Sequence, residues 1–461
     1  MLVLAASPND PLKKNDPFMP LSLPILAAAS PEHEYIFVDM LSDEKINFDE
    51  KIDIAGISYR ISAEKTAFEI ADRFKKIGIT TIAGGPQPTC SPYEAAKHFD
   101  AVVMGEGEAL WDIVMKDHTA GKLRKYYVCS PKKFDGRGME VFQSFEFFDM
   151  ESFRLPDRKH FKYKYDFDTV LASRGCPINC DFCSVPGMYG TKTRLRNIDD
   201  VVGEIDTFKN YYYLLDDTVF GRKNSYDYYK KLYEKITGLK KQRFWTGQGN
   251  LDAAGDKEGR EVIKLAAQSG LLYAAIGIES VNPEALKKSG AINKLGIGNP
   301  DDVIEQMKEN IAFIQEQGIV ISGWFVVGYD EDDLETFDRI LQFCEETNIL
   351  PMISSLEALP NTRLYEEMQK QNRISLTKKI NLVHPVLNDD QIIEKLIESN
   401  RIGFSNKIIR KRTSFYMKKF EKDTADINKK ISNKIHKTIF TYILQHKLKK
   451  GVMAFANTGD F

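Results

Sequence analysis

The sequence predicts an α/β protein in three parts: a doubly wound parallel sheet, a second series of strand and helix units, and a helical C-terminal region. Short apolar runs bounded by Gly, Asp and Pro recur through the first 140 residues, with helical patterns between them. From residue 169 to 368 a strand-then-helix unit repeats six times, and beyond 369 helical apolar spacing on a lysine-rich background takes over. Continuous rather than alternating apolar runs are what strands buried on both faces require.

In the first part, strands are expected at 1–5, 35–38, 54–58, 80–83 and 101–104, and Ala67, Ile70, Ala71 and Phe74 recur at the spacing of one helix face. This pattern describes a Rossmann-like doubly wound parallel sheet. Its strand ends run into Ser58-Tyr59, Gly84-Gly85-Pro86 and Gly105-Glu106-Gly107-Glu108, the places where such sheets bind ligands. A tight turn explains each glycine singly; all three together suit a ligand-binding rim.

In the second part, strands are expected at 169–173, 212–215, 244–248, 273–280, 319–327 and 352–356. Val303, Ile304, Met307, Ile311 and Ile314 mark one intervening helix, and Gly318 stops it. The first strand opens into Ser173-Arg174-Gly175-Cys176-Pro177-Ile178-Asn179-Cys180-Asp181-Phe182-Cys183. Three cysteines at x3 and x2 spacing can hold three corners of an iron–sulfur cube and leave the fourth iron open. Structural zinc needs a fourth ligand, and no second Cys or His pair with finger-like spacing follows. Six cysteines in 461 residues, with no secretory leader, fit a reducing cytosol better than a disulfide scaffold.

These residues resemble the radical S-adenosylmethionine (SAM) superfamily, whose loop is Cys-x3-Cys-x2-Cys with an aromatic before the third cysteine, the place Phe182 fills. The resemblance implies a 4Fe-4S cluster on Cys176, Cys180 and Cys183, with SAM at the open iron and reductive cleavage to a 5′-deoxyadenosyl radical. It also implies a partial (β/α)6 TIM-like barrel, open at one side to substrate. By strand end, Asp216, Asp217, Asn250 and Glu279 of Gly277-Ile278-Glu279-Ser280 would orient SAM, and Gly328 would let backbone approach it. A carboxylate suits the ammonium and ribose hydroxyls of SAM. For Asp216 and Asp217, capping the following helix is the competing role.

The first part is similar to the cobalamin-binding-type domain that precedes the barrel in one large radical SAM subfamily. Loops at Ser58, Tyr59, Gly84, Gly85, Gly105 and Glu106 would face the corrin. The Asp-x-His-x-x-Gly motif, whose histidine would coordinate cobalt, is absent from this segment. The resemblance therefore implies cobalamin held without a histidine, or a domain that has kept the fold and lost the cofactor. The implied activity is cobalamin-dependent methylation of an unactivated carbon. Epimerisation, ring formation, rearrangement and carbon–carbon coupling are the alternatives, with a non-catalytic iron–sulfur binding module as a reading of another class. An external electron donor such as flavodoxin or ferredoxin is implied, with a small-molecule, lipid or peptide substrate. Cys90, Cys129 and Cys344 read as small buried residues, with hydrogen-atom donation to a substrate radical as their second reading.

The expected domains are residues 1–140, 141–368 and 369–461. Between residues 401 and 450 stand fifteen Lys and Arg against three acids, a net +12 in a chain whose total is −2. Ile392, Ile393, Leu396 and Ile397 give one apolar helix face, and Ile427, Ile431, Ile435, Ile439 and Phe440 another, flanked by Lys429, Lys430, Lys434 and Lys437. Such helices pack on the barrel, lie on an anionic membrane surface as a peripheral contact, or meet nucleic-acid phosphates. The longest apolar stretch, within 319–327, falls short of the roughly 20 residues a membrane span needs, so no transmembrane segment is expected, and the cysteine usage makes cytoplasmic the expected location.

Overall fold

Seven strands, all parallel to their neighbours, form the first sheet of the computed structural model. They are β1 (Leu2–Ser7), β2 (Glu34–Asp39), β3 (Ile54–Ser58), β4 (Thr80–Gly84), β5 (Ala101–Met104), β6 (Tyr126–Cys129) and β7 (Val141–Ser144). The order is β2-β1-β3-β4-β5-β6-β7. The structure describes residues 1–8, 17–209, 211–296, 302–375 and 380–420, and near the C-terminus 437–438, 441–442, 444–446 and 448–449. The chain divides into two compact units, Met1–Pro177 with Ser184–Glu204 and Ile178–Cys183 with Ile205–Phe461.

Alternation along each strand feeds two cores. Leu4, Ala6, Ala55 and Ile57 point to one face, where Ala67, Ile70, Ala71 and Phe74 of the helix Glu64–Lys76 cover them. Val3, Ala5 and Ile54 point to the other, beneath Leu23 and Ala27 of Ser22–Ala29 and Trp111, Val114 and Met115 of Trp111–Thr119. With both faces covered, the centres of β1, β3, β4, β5 and β6 are buried, which is why their apolar runs are continuous. The sheet runs through Ser144, four residues past the expected domain end at 140. The two further strands escaped the sequence reading for different reasons. β6 is built on two tyrosines, and β7 is half-buried at every position.

The strand β8 (Phe167–Val170) follows in the first unit. Then β9 (Ser173–Arg174) pairs antiparallel with β10 (Arg194–Leu195), with Arg174 opposite Arg194. The single run expected at 169–173 is thus broken between Val170 and Ser173. In the second unit β11 (Tyr211–Leu214), β12 (Phe244–Gly249), β13 (Leu271–Glu279), β14 (Val320–Val327) and β15 (Leu350–Ser355) lie side by side in sequence order, all parallel. Each lies within two residues of its expected ends. The helices Tyr226–Thr237, Lys257–Gln268, Val303–Glu316 and Glu335–Thr347 alternate with them.

The C-terminal region is helical where it is described. Helix Asp389–Gly403 buries Ile392, Ile393 and Leu396 and opens on a capping box between Asn388 and Gln391. Helix Asn406–Lys419 lays Tyr416, with Phe404 and Phe420 beside it, against Tyr273, Val320 and Leu350 at the amino ends of β13 to β15. The Tyr416 oxygen accepts from the Ile321 N–H at 3.1 Å and from the Gln315 amide at 3.0 Å. For this helix the packing role holds, with Lys407, Arg410, Lys411 and Lys418 left on the outer side. The second basic face, with Ile427, Lys429, Lys430, Ile431, Lys434, Ile435, Ile439 and Phe440, lies outside the described residues. Lys437 is described, and its ammonium stands 5.6 Å from the centre of the Phe420 ring. Among the described residues no helix is long and apolar enough to cross a membrane.

Candidate functional site

The three-cysteine loop leaves β9 through Gly175, whose φ is +93°. A Cβ there would stand 2.4 Å from the Lys192 carbonyl oxygen, so only glycine makes this turn. The next N–H, that of Cys176, donates to Gly190 O at 3.3 Å. We expect Gly175→Ala to destabilise the first unit by roughly 2–3 kcal/mol and to lower iron uptake, measured by denaturant unfolding and iron content. Within the second unit the rest of the loop is pinned by backbone: Asp181 N–H donates to Ser289 O at 3.3 Å, and Asp181 O accepts from Leu364 N–H at 3.0 Å. Cys180 is buried, while Cys176 and Cys183 are half-buried; no disulfide joins any of the six cysteines.

Glu279 ends β13 in an unusual way. The register against β14 jumps between Gly277 and Glu279, and Glu279 has a φ of +68°, a conformation few non-glycine residues adopt. Such a bulge re-aims a side chain and is held by its surroundings. Here the holder is Lys294, whose ammonium is paired with the Glu279 carboxylate, both side chains being buried. Burial works to lower the Lys294 pKa, but Glu279 and the sulfurs of Cys180 and Cys183 outweigh it and hold the pKa above its ordinary value. A cation therefore stands permanently beside two of the three thiols. The Phe182 ring centre is 5.7 Å from the Lys294 nitrogen, and the ring is edge-on to Tyr329 at 6.4 Å.

Gly277 keeps this cradle open. An added Cβ would approach Glu279 Oε1 at 2.5 Å and Lys294 Nζ at 2.8 Å. The glycine of the Gly-Ile-Glu-Ser run is thus a matter of space. Nothing in the sequence marks Lys294: it is one lysine among many, fifteen residues beyond its partner, and only the fold makes it buried and charged.

Unpartnered buried polar atoms lie within β12 and just beyond the carboxyl ends of β11 and β12: Thr246 Oγ1 in the strand, and Thr218 Oγ1, Asn250 Nδ2 and Asp252 Oδ1 past the strand ends. Buried polar groups are normally satisfied, so four orphans on two neighbouring strands and the loops that follow them fit a polar ligand. Burial pushes the Asp252 carboxyl up to about 6, against the pull of Arg222 at 2.8 Å. Asp216 is fully buried and accepts from the Tyr229 phenol at 2.6 Å, whereas Asp217 is half-buried. Gly328 has its N–H taken by Asp332 Oδ2 at 2.8 Å.

In the first unit, Ser58 and Gly84 are half-buried, and Tyr59 is buried with its hydroxyl unpartnered. Gly85 precedes the short helix Pro86–Cys90 with a φ of +97°. Gly105 meets Cys129 so closely that a Cβ would stand 2.4 Å from the Cys129 oxygen. Glu106 is 1% exposed, and both of its oxygens are occupied by protein donors. Oε1 accepts from Arg174 at 2.8 Å and Arg194 at 3.0 Å, Oε2 from Arg194 at 3.0 Å and Phe148 N–H at 2.7 Å. Burial raises the thiols of Cys90 and Cys129 to about 11 and that of Cys344 to about 12. Cys344 lies fully buried within Glu335–Thr347, and Cys129 donates to Glu146 O at 3.2 Å.

Among the described residues no three His, Cys, Asp or Glu side chains are gathered as a ready ion site. The fit to an iron–sulfur cluster rests on the donors themselves: three thiols in one short loop, a buried ammonium whose charge two of them favour, and the Phe182 ring centre 5.7 Å from that ammonium. Residues 170–344, which hold the three-cysteine loop and the Glu279–Lys294 pair, match the sequence model of the radical SAM superfamily. Over 409 residues the chain is 28% identical to the bacteriochlorophyllide d C-12(1)-methyltransferase of Chlorobaculum tepidum, covering 86% of this chain and 84% of that protein. It is 27% identical over 317 residues to the hopanoid C-2 methylase of Rhodopseudomonas palustris, covering 66% and 55%. In fold it is similar to TsrM of Kitasatospora setae, a radical SAM methyltransferase solved with cobalamin and a [4Fe-4S] cluster bound. The TM-score is 0.66 and the identity 16%, over 84% of this chain and 82% of that one.

Proposed function

We propose that this protein is a cobalamin-dependent radical SAM methyltransferase acting on an unactivated carbon. The observation that carries the reading is the Glu279–Lys294 pair, held in a strained bulge beside the Cys180 and Cys183 thiols. The amino-acid end of SAM presents an ammonium and a carboxylate, and the pair offers one complementary charge to each. Cys176, Cys180 and Cys183 would hold the cluster; Asn250 and Asp217 would meet the ribose. When bound, the cluster supplies the electron that breaks a carbon–sulfur bond of SAM, and cobalamin supplies a methyl carrier. Ser58, Tyr59 and Gly84 are the residues offered to the corrin, with the Tyr59 hydroxyl, buried and unpartnered, as its leading donor. A cytoplasmic setting and a flavodoxin- or ferredoxin-type electron donor belong to the same reading.

The test is anaerobic. Protein expressed with ample cobalamin, reconstituted with iron and sulfide and given SAM and a reductant, is expected to release 5′-deoxyadenosine and S-adenosylhomocysteine and to retain cobalamin. Complete absence of cobalamin would sink methyl transfer and leave hydrogen abstraction, and absence of 5′-deoxyadenosine would sink both.

The two relatives named above act on a bacteriochlorophyllide and on a hopanoid, and one side chain supports a large apolar ring system as substrate here too. Of the three tryptophans, Trp111 and Trp245 are buried, while Trp324 of β14 is 45% exposed. Its register partners are Gly277, without a side chain, and Met352, which leaves the indole face open. We expect Trp324→Ala to weaken binding of chlorophyllide a about tenfold, a loss of the size expected when an aromatic contact is removed. Quenching of the exposed tryptophan measures it in the parent chain, and pigment fluorescence in both.

A further inference from the structure

We infer that Glu106 is a positioning residue for the cluster loop, closing the loop's two ends together, and not a contact for a corrin. The inference rests on the assignment of Cys176, Cys180 and Cys183 to the cluster. Arg174 stands two residues before Cys176, and Arg194 lies opposite it on the β9–β10 ribbon. Both guanidiniums reach the same carboxylate, which is buried and has all four of its close donors supplied by the chain. Arg194 also donates to Tyr189 O at 3.1 Å, the last residue of the helix Val185–Tyr189 that follows the third cysteine. Arg174 is further paired with Glu108. Glu106 therefore ties the residues entering the loop to the helix leaving it.

Two acids and two guanidiniums make a neutral buried quartet. Removing the Glu106 charge leaves Arg194 with no carboxylate partner among the described residues, while Arg174 keeps Glu108. The Gly-Glu-Gly-Glu segment is thereby joined to the β9–β10 ribbon. Gly105 lets the chain pass against Cys129 O, and the acid that follows turns inward to the ribbon.

The experiment compares Glu106→Gln with Glu108→Gln in the full chain, reconstituted anaerobically with iron and sulfide. Glu108→Gln removes one buried charge of the same quartet but leaves the Glu106 clasp intact. Iron per chain, the electron paramagnetic resonance signal of the reduced protein with and without SAM, cobalamin absorbance and unfolding temperature are read together. The expected result for Glu106→Gln is iron content reduced at least twofold, loss of the SAM-induced change in the signal, and cobalamin content equal to the parent's. Glu108→Gln is expected to retain both iron and the SAM response. Where Glu106→Gln does not fold, Arg194→Lys, which keeps the charge and removes the fork, is expected to give the same loss. Cobalamin lost with iron and SAM response intact would overturn the inference, as would equal iron loss in the two glutamine variants. A parent chain that takes up no iron would overturn the functional reading itself, a result distinguishable from either.

Discussion

Cys180→Ala is expected to abolish SAM cleavage, with 5′-deoxyadenosine falling at least about a thousandfold, a barrier increase of about 4 kcal/mol. Cys180 is the buried member of the three, and two remaining thiolates cannot hold a cube with one open iron. The fold itself is expected to survive. Replacing the CH2–SH side chain by a methyl group removes one heavy atom, the sulfur, a cavity of about 1 kcal/mol at most, and the flanking backbone bonds of Asp181 to Ser289 and Leu364 do not involve the side chain. Circular dichroism should therefore match the parent while iron content falls. Full iron loading of the alanine variant would remove Cys180 from the ligand set.

The second large effect concerns Lys294. Lys294→Met leaves the Glu279 carboxylate buried without its partner in a backbone conformation it adopts only under constraint, and breaking a buried pair in this way costs about 3–5 kcal/mol. Glu279→Gln is milder, because Lys294 keeps the neighbouring sulfurs. The double variant should be more stable than the two single losses add up to, the sign of direct coupling. SAM affinity should fall about tenfold to a hundredfold in each single variant, as loss of one charge-assisted hydrogen bond predicts. Urea unfolding and equilibrium binding of SAM measure the two effects. Additive stability losses would show that the pair does not act as a unit.

The parts of the fold set by continuous apolar runs were legible in the sequence. The runs at 212–215, 244–248, 273–280, 319–327 and 352–356 stand within two residues of the strands, because a parallel strand buried on both faces has no other pattern to offer. Tyr126–Cys129 and Val141–Ser144 were not legible, since their tyrosines and half-buried edge positions resemble ordinary surface chain. Chemistry followed the same division. The cysteine loop is local in sequence and readable; the Glu279–Lys294 pair exists only because a bulge and a turn bring two segments together. Glu106 shows a third case. A glycine-flanked acid at the carboxyl end of a strand is readable as a ligand contact, but the arginines that take its oxygens lie 68 and 88 residues away.

The helix Asn406–Lys419 has a consequence for how the molecule could be cut down. Its tyrosine oxygen satisfies the Ile321 N–H, and its aromatic side chains seal the amino ends of three strands. A fragment ending at residue 403 would expose Tyr273, Val320 and Leu350 to water and leave a backbone donor orphaned inside β14. The stretch that matches the radical SAM superfamily, residues 170–344, is thus not a minimal enzyme. Helix Asn406–Lys419 acts as a stopper over these three strand ends, and removing it would leave an exposed apolar patch prone to aggregation.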